Sequence, residues 1–406
     1  MPEVRSDSIR TTAFHNNFLM TTVLVLDGRQ RSALAAVRSL GRRGLRICVA
    51  DSVPNTLAGA SRHASEELVC PDGASAPEAF VDWVADAAAR LQVHAILPLT
   101  DLSVMLLSPA RERFSGAALL CAPTAPYEAV SDKAALIDLA REVGLSTPAT
   151  SIVVDRAGLV DKLGSSSYPL VLKPARSKVL LGGAVVSTAV HVARNQADAM
   201  HYLDSAPWVG NLPCLIQEFI PGRGAGVFAF YSRGTPLAWF AHRRMREKPP
   251  QGGVSVLSES AELDEALRAA SERLLSRVGW EGPAMVEYRV TPDGRPYLME
   301  VNGRLWGSVQ LAIDCGIDFP WLMYQSAMGN QIEAVASYPV GRRLRWTLGD
   351  LDNLLIQFRQ GGSRGRLRPL GSFLATFADF SARSEIFRWS DPAPAFRELG
   401  TWVQAL

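Results

Sequence analysis

The chain has 406 residues, with 42 basic and 40 acidic side chains and a net charge of +2. At about 150 residues per domain this length provides two or three domains with ample core, so folding requires no disulfide or metal staple. The charge balance gives no whole-chain attraction to nucleic acid or to a membrane surface, and no apolar run approaches the ~20 residues of a membrane span, so neither is an expected partner. Cys48, Cys70, Cys121, Cys214 and Cys315 are scattered, odd in number and without a CxxC pair. That usage predicts reduced thiols and a cytoplasmic setting.

In chain order, residues 1–20 read as a flexible polar tail, and Met20 stands either as an alternative start or as its end. From Thr22 short apolar runs alternate with amphipathic segments: strand 23–26, helix 29–42, strand 46–50, helix 80–91, strand 95–99. Such alternation predicts parallel strands with crossover helices, an open α/β domain over 21–125. Asp51 follows the second strand, where a dinucleotide-binding domain would hold a ribose. The first turn, Asp27-Gly28-Arg29-Gln30-Arg31-Ser32, lacks the further glycines that let backbone approach a pyrophosphate, which favours a purely structural half.

A second unit begins near Ser131. Ser131-Asp132-Lys133 opens a helix ended by Gly144 and Pro148. Strands over 170–173, 184–187, 214–219, 227–231 and 237–242, a helix over 262–277 and strands over 284–290 and 296–301 point to antiparallel α+β construction. The final segment, with Trp346, Phe358, Phe373, Phe377, Phe380 and Trp389 irregularly spaced, reads as a small C-terminal subdomain.

The most informative stretch runs from Met285 to Asn302. Asp293-Gly294 between two alternating apolar runs is a strong hairpin signal. If those two residues form the loop, Pro292 faces Arg295, Glu287 falls directly opposite Glu300, and Asn302 shares the face of Glu300. Two carboxylates ~5 Å apart repel by a few kcal/mol at an effective dielectric of ~20. Two carboxylates and an amide oxygen are hard ligands that suit Mg²⁺ or Mn²⁺; a solvated pair beside Arg289, Arg295 and Arg304 is the plainer alternative.

Four further features stand between ligand contact and ordinary surface. Lys133 lies in a helix's first turn, where its charge is unfavourable unless an anion binds. Lys173 ends the apolar run Tyr168–Leu172 with a charge. Gln217-Glu218-Phe219-Ile220 interrupts an apolar strand before a glycine-rich connection, either to meet an adenine edge or simply to surface at a turn. The segment His242–Gly253 concentrates Arg243, Arg244, Arg246 and Lys248, as a solvated loop or as a mobile clamp for phosphate or carboxylate.

The order Ser131-Asp132-Lys133, Val171-Leu172-Lys173-Pro174, Gln217-Glu218-Phe219-Ile220, Glu287, then Glu300-Val-Asn302-Gly-Arg304 resembles the ATP-grasp superfamily. The likeness is to its carbamoyl-phosphate-synthase and biotin-carboxylase-like branch of carboxylate–amine ligase type, over about residues 22–330. The resemblance implies a Rossmann-like N-terminal domain (21–125) and a two-subdomain ATP-grasp fold (126–335), which leaves 336–406 as the small C-terminal subdomain. It implies ATP with Lys133 and Lys173 on the phosphates, Gln217, Glu218 and the backbone near Ile220 at the adenine, and Mg²⁺ or Mn²⁺ on Glu287, Glu300 and Asn302. Arg304, with Arg243 and Arg246 of the clamp, would face the reacting groups. The implied chemistry joins a small-molecule carboxylate to an amine through an acyl phosphate, with ADP released. Bicarbonate-dependent carboxylation or carbamoyl-phosphate formation, and a non-catalytic ATP-binding regulator, are the alternatives. The loop after Lys173, Ala175-Arg-Ser-Lys-Val-Leu-Leu-Gly182-Gly183, departs from the usual glycine-rich pattern, so Arg176, Ser177 or Lys178 would stand in for backbone amides. Nothing in the sequence fixes the oligomeric state or the two substrates.

Overall fold

The computed structural model describes residues 21–404 except 115, 207, 251, 361–366, 378 and 380. The expected tail over 1–20 and Phe380 lie outside the described residues, as does the side chain of Phe377.

Strands β1 (Thr22–Val25), β2 (Arg46–Asp51), β3 (Glu66–Val69), β4 (Val93–Leu97) and β5 (Ala118–Leu119) form a parallel sheet in the order β3-β2-β1-β4-β5. Helices α1 (Arg31–Gly41), α2 (Pro77–Arg90) and α3 (Asp101–Leu107) belong to this unit. The order reverses between β1 and β4, and Asp27 is the pin there. Its carboxylate accepts from the Leu99 and Thr100 amides at 2.9 and 3.0 Å and from the Ser103 hydroxyl at 2.6 Å. Asp51 accepts from the Arg29 amide and Nε, each at 2.9 Å, so its carboxylate is taken up within the chain.

Helices α4 (Thr124–Ser131) and α5 (Lys133–Glu142) lead to an antiparallel sheet of β6 (Thr150–Val153), β7 (Leu170–Pro174), β10 (His191–Ala193) and β11 (Cys214–Glu218), in the order β10-β7-β11-β6. Between β7 and β10 the chain forms a separate hairpin, β8 (Lys178–Leu181) and β9 (Ala184–Ser187), with Gly182 and Gly183 at positive φ at its tip. Two helices unforeseen in the sequence, α6 (Arg156–Gly164) and α7 (Gln196–Ser205), close over this sheet around Leu172, Trp208 and Ile216.

The third sheet runs β16-β15-β12-β13-β14-β17-β18. Its strands are β12 (Arg223–Ser232), β13 (Thr235–Lys248), β14 (Val254–Ser260), β15 (Gly282–Val290), β16 (Pro296–Asn302), β17 (Arg343–Arg345) and β18 (Ala382–Ser384). Helix α8 (Glu265–Arg277) precedes β15, while α9 (Val309–Asp314) and α10 (Phe319–Ala327) follow β16. Helices α11 (Thr347–Gln360), α12 (Leu367–Phe377) and α13 (Ala393–Gln404) complete the chain. β17 and β18 extend the large sheet, so the C-terminal segment shares the sheet that carries the hairpin.

The segment expected as a basic loop is strand instead. β13 continues to Lys248 and pairs with β14 across Arg243, Arg244 and Arg246, because alternating burial on a paired strand accommodates cations that find acidic partners. One hydrophobic cluster joins the first and third sheets, with Val23, Leu34, Phe228, Phe240, Trp306 and Phe319 all buried in it. All five cysteines are unpaired. Among the described residues no helix is long and apolar enough to cross a membrane.

Candidate active site

The hairpin of β15 and β16 creates the site. Its loop has three residues, not two: Thr291 faces Arg295, with the Thr291 amide donating to the Arg295 carbonyl at 3.0 Å and Gly294 at φ +87°. Three-residue loops use such a left-handed position, which glycine fills without penalty. The longer loop moves the register by one, so Tyr288 faces Leu298. A bulge at Met299 then moves it back, and Glu287 faces Glu300 as the sequence predicts, with Met285 opposite Asn302.

The Asn302 amide donates from Nδ2 to Glu287 Oε1 and to Glu300 Oε1, both at 3.2 Å. Burial, and then the charge of Glu300, push the Glu287 carboxyl up to about 7. The cation that answers this pair is Arg244, whose Nη2 lies 2.9 Å from Glu287 Oε1. Burial opposes the Arg244 charge, but Glu287 and Glu247 together hold its pKa above the ordinary value.

Arg243 and Arg246, expected at the reacting groups, do not join this cluster. Arg243 faces Glu259 across the strand pair and bonds to it. A register shift sets Arg246 opposite Leu257, and its guanidinium reaches Asp350 of α11 at 2.6 Å and Thr376 Oγ1 at 2.7 Å. Alternation along β13 sends Arg244 to the other face. Arg304 does stand beside the carboxylates, held by a two-point pair to Asp101 at the start of α3, with Nε and Nη2 at 3.0 and 2.9 Å. Burial opposes its charge as well, and Asp101 outweighs it.

The two lysines approach from the other side. Asp132 caps α5 by accepting from the Ala134 and Ala135 amides, and the Lys133 amide donates to the Ala175 carbonyl at 2.8 Å, tying the helix start to the end of β7. Lys133 Nζ donates to Ser177 Oγ at 2.9 Å. Lys173 is buried, and burial lowers its pKa although Glu300 pulls the other way. Gln217 is buried and donates from Nε2 to Thr150 Oγ1 at 2.9 Å; Lys133, Lys173 and Gln217 line one recess with Leu136, Ile137, Leu298 and Met299. Glu218 is the last residue of β11, exposed and accepting from the Ala149 amide at 3.4 Å, and Ile220, just beyond the strand, is buried.

A cleft beside that recess is walled by Asp101, Tyr127, Lys133, Arg176, Ser177, Lys178, Glu300 and Asn302. A second cavity of about 400 Å³ opens beyond the carboxylates, against Arg31, His242, Arg244, Arg304, Trp306 and Ser308. Burial, reinforced by Arg244, pushes His242 down to about 3, so it is neutral there. Glu300 and Asn302 belong to both walls and Arg304–Asp101 bridges between them, so the carboxylate pair is the meeting point of the two spaces. Among the described residues no three His, Cys, Asp or Glu side chains gather into a metal-binding group; the cluster is two carboxylates and an amide. Sequence reasoning had Arg244 only as one cation of the basic segment and did not foresee its pairing with Glu287, the pairing of Asp101 with Arg304, or Arg31 at the cavity. Arg244 was recoverable from strand alternation, the other two only from tertiary contact.

Residues 212–348 match the family model described as ATP-grasp in the biosynthetic pathway with Ter operon. No curated protein sequence matches the chain. Among solved structures, the chain is similar to a biotin carboxylase β-γ-ATP complex from Campylobacter jejuni (18% identity, TM-score 0.62, covering 79% of this chain and 74% of that one). It is similar to an L-amino acid ligase from Bacillus licheniformis (20% identity, TM-score 0.59, 77% and 75% covered). It is also similar to N5-carboxyaminoimidazole synthetase from Staphylococcus aureus complexed with ADP (12% identity, TM-score 0.60, 80% of each covered). Over residues 212–348 the chain matches an ATP-grasp family model, and its fold is that of these solved structures.

Proposed function

We propose that this protein is an ATP-dependent, ADP-forming ligase that joins a small carboxylic acid to an amine. The observation that carries the reading is that Glu300 and Asn302, bonded through the Asn302 amide to Glu287, share a cleft with the buried Lys133, while the buried Lys173 feels the charge of Glu300 from the adjoining recess. Similarity to an L-amino acid ligase and to ADP-bound and ATP-analogue-bound structures supports it.

The donor set fits Mg²⁺. Two carboxylates and an amide oxygen are hard ligands, and burying Glu287 against Glu300 leaves a pair that a divalent cation would relieve. Glu287, Glu300 and Asn302 would hold that ion, which supplies charge neutralisation at the phosphates when bound.

The rest falls to the chain's own side chains. Lys133 and Lys173 neutralise the triphosphate, with Arg176, Ser177 and Lys178 beside it in place of a glycine-rich loop. Gln217, Leu298 and Met299 form the recess for the base, with Glu218 and the Ile220 backbone at its outer edge. Arg244 fixes Glu287, and Asp101 fixes Arg304 toward the reacting groups. A carboxylate oxygen attacks the γ-phosphorus, the bond to the β-phosphate oxygen breaks, and ADP and an acyl phosphate result. The amine then attacks the acyl carbon, expels phosphate and loses a proton. Such chemistry asks for positioning and charge neutralisation rather than a covalent nucleophile.

The test is ADP release with Mg²⁺ against pooled acids and amines, with products read by mass spectrometry. The expected result is ADP formation that needs both an acid and an amine, lost by about 100-fold or more in Glu300→Gln with unfolding unchanged. AMP and pyrophosphate, or turnover driven by bicarbonate alone, would overturn the reading.

A further inference from the structure

The cavity beyond the carboxylates contains three guanidinium groups, and their N–H groups are unequally committed. Arg244 donates to Glu247, Glu287 and the Gly253 carbonyl. Arg304 gives Nε and Nη2 to Asp101 and Nη1 to the Leu305 carbonyl. Arg31, the first residue of α1, uses Nη1 alone, on Glu385 Oε2 at 2.5 Å and the Ser255 carbonyl at 3.5 Å. Among the described residues nothing bonds to its Nη2 or Nε.

The free edge is held in place. Arg31 Cζ lies 4.1 Å over the Trp346 ring, and the guanidinium pairs with a buried carboxylate from the segment after β18, so its orientation is set by two C-terminal residues. Nη2 faces Gly307: a Cβ built on that glycine would lie 2.7 Å from it. Gly307 is itself a cavity residue, so its missing side chain keeps Nη2 open to the space. Two buried polar atoms of the same wall, His242 Nδ1 and Trp306 Nε1, also have no hydrogen-bond partner among the described residues. A guanidinium preset on an aromatic ring, with one edge free in a cavity, is built for a carboxylate or phosphate oxygen pair. The reacting end of an acid belongs at Glu300, Asn302 and Arg304, so an anion at Arg31 is a second one.

We propose that Arg31 is a specificity-determining residue that binds a second anionic group, carboxylate or phosphate, on the acid substrate filling this cavity. The identity of that acid as substrate rests on the ligase reading above; its binding does not. The C-terminal segment thereby acquires a task, since Glu385 and Trp346 position the group that reads the substrate.

The experiment is calorimetric titration of the full chain, with ADP and Mg²⁺ present. The probes are the diacids from malonate to adipate, each paired with the monoacid carrying a methyl in place of one carboxylate, and inorganic phosphate. Arg31→Met is the variant. Arg31→Met with Glu385→Gln removes both charges together and keeps the test valid if the single change does not fold. The wild type is expected to bind one diacid, or phosphate, at least about tenfold tighter than the monoacids. Both variants should erase that preference while their affinity for ATP stays unchanged. Tightest binding of a diacid assigns a carboxylate, and tightest binding of phosphate assigns a phosphate. Equal binding of all probes by the wild type, no binding of any, or a preference that survives the variants overturns the proposal. ADP release separates the two readings. A preference erased by the variants with no ADP release under any amine leaves Arg31 assigned and the ligase refuted. ADP release equally fast with mono- and diacids in wild type and variants does the reverse.

Discussion

Arg243 and Arg244 are adjacent in sequence and differ in almost every physical respect. Arg243 is largely exposed, its side chain 62% accessible, and its pair with Glu259 lies away from the carboxylate cluster. Arg244 is half-buried and supplies the cation nearest Glu287. A buried carboxylate left without its partner resists ionisation, so removing Arg244 disturbs the proposed cation site itself. Arg244→Leu is therefore expected to lower ADP release by about 100-fold, whereas Arg243→Leu should stay within about threefold of wild type. Steady-state kinetics of the two variants decides the matter, and equal losses would contradict the assignment of faces on β13. The facing of Glu287 and Glu300 was legible in the sequence because the hairpin spacing places it, whereas Lys133 and Lys173 were assigned to the site only by the resemblance. The partners of Arg304 and Arg31 were not legible, since Asp101 and Glu385 lie some 200 and 350 residues away along the chain.

Hairpin geometry shows how an element can be right for an incomplete reason. A two-residue loop would place Glu287 opposite Glu300 with no bulge; the structure uses a three-residue loop and a bulge whose register shifts cancel. Alternation of apolar residues records which side chains face inward, but it does not record where an extra residue is absorbed. The connection from β11 to β12 is a second constrained element. Gly222 has φ +144°, and a Cβ there would meet the Val290 carbonyl oxygen at 2.2 Å, against backbone that cannot rotate away. At Gly294, φ is +87° and a Cβ would meet nothing within 4 Å. Gly222→Ala is thus expected to lose about 2–4 kcal/mol of stability, and Gly294→Ala only about 1 kcal/mol. Denaturant unfolding checks the order, and a Gly222 variant as stable as the Gly294 variant would deny that this connection is packed on β15.

At the scale of the whole molecule, the segment after β18 returns to the first helix and locks onto it. Arg38, almost fully buried on α1, donates to Asp391 Oδ2 at 2.8 Å and to the Glu385, Ile386 and Asp391 carbonyls. Asp391 also accepts from Ser61 and the Arg62 amide, and these bonds outweigh burial to hold its carboxyl below the usual range. Glu385 behaves oppositely. Burial pushes it up to about 7 against the pull of Arg31, with the Glu398 charge adding to the rise and Arg388 opposing it. A carboxyl that is harder to ionise folded than unfolded favours the folded state only while protonated. Stability from Glu385 is therefore complete below about pH 4.5, falls as pH rises toward about 7, and is level above, a total of about 3 kcal/mol. Glu385→Gln removes this titration and leaves every other group to cancel in the comparison. The variant is expected to gain on wild type steadily between about pH 4.5 and 7 and to hold a constant lead at higher pH. Urea unfolding of both proteins from pH 4 to 8 measures that difference. Parallel curves, or a lead that grows toward acid, would mean that this carboxylate is ionised at ordinary cost and that the strap on α1 carries no such penalty.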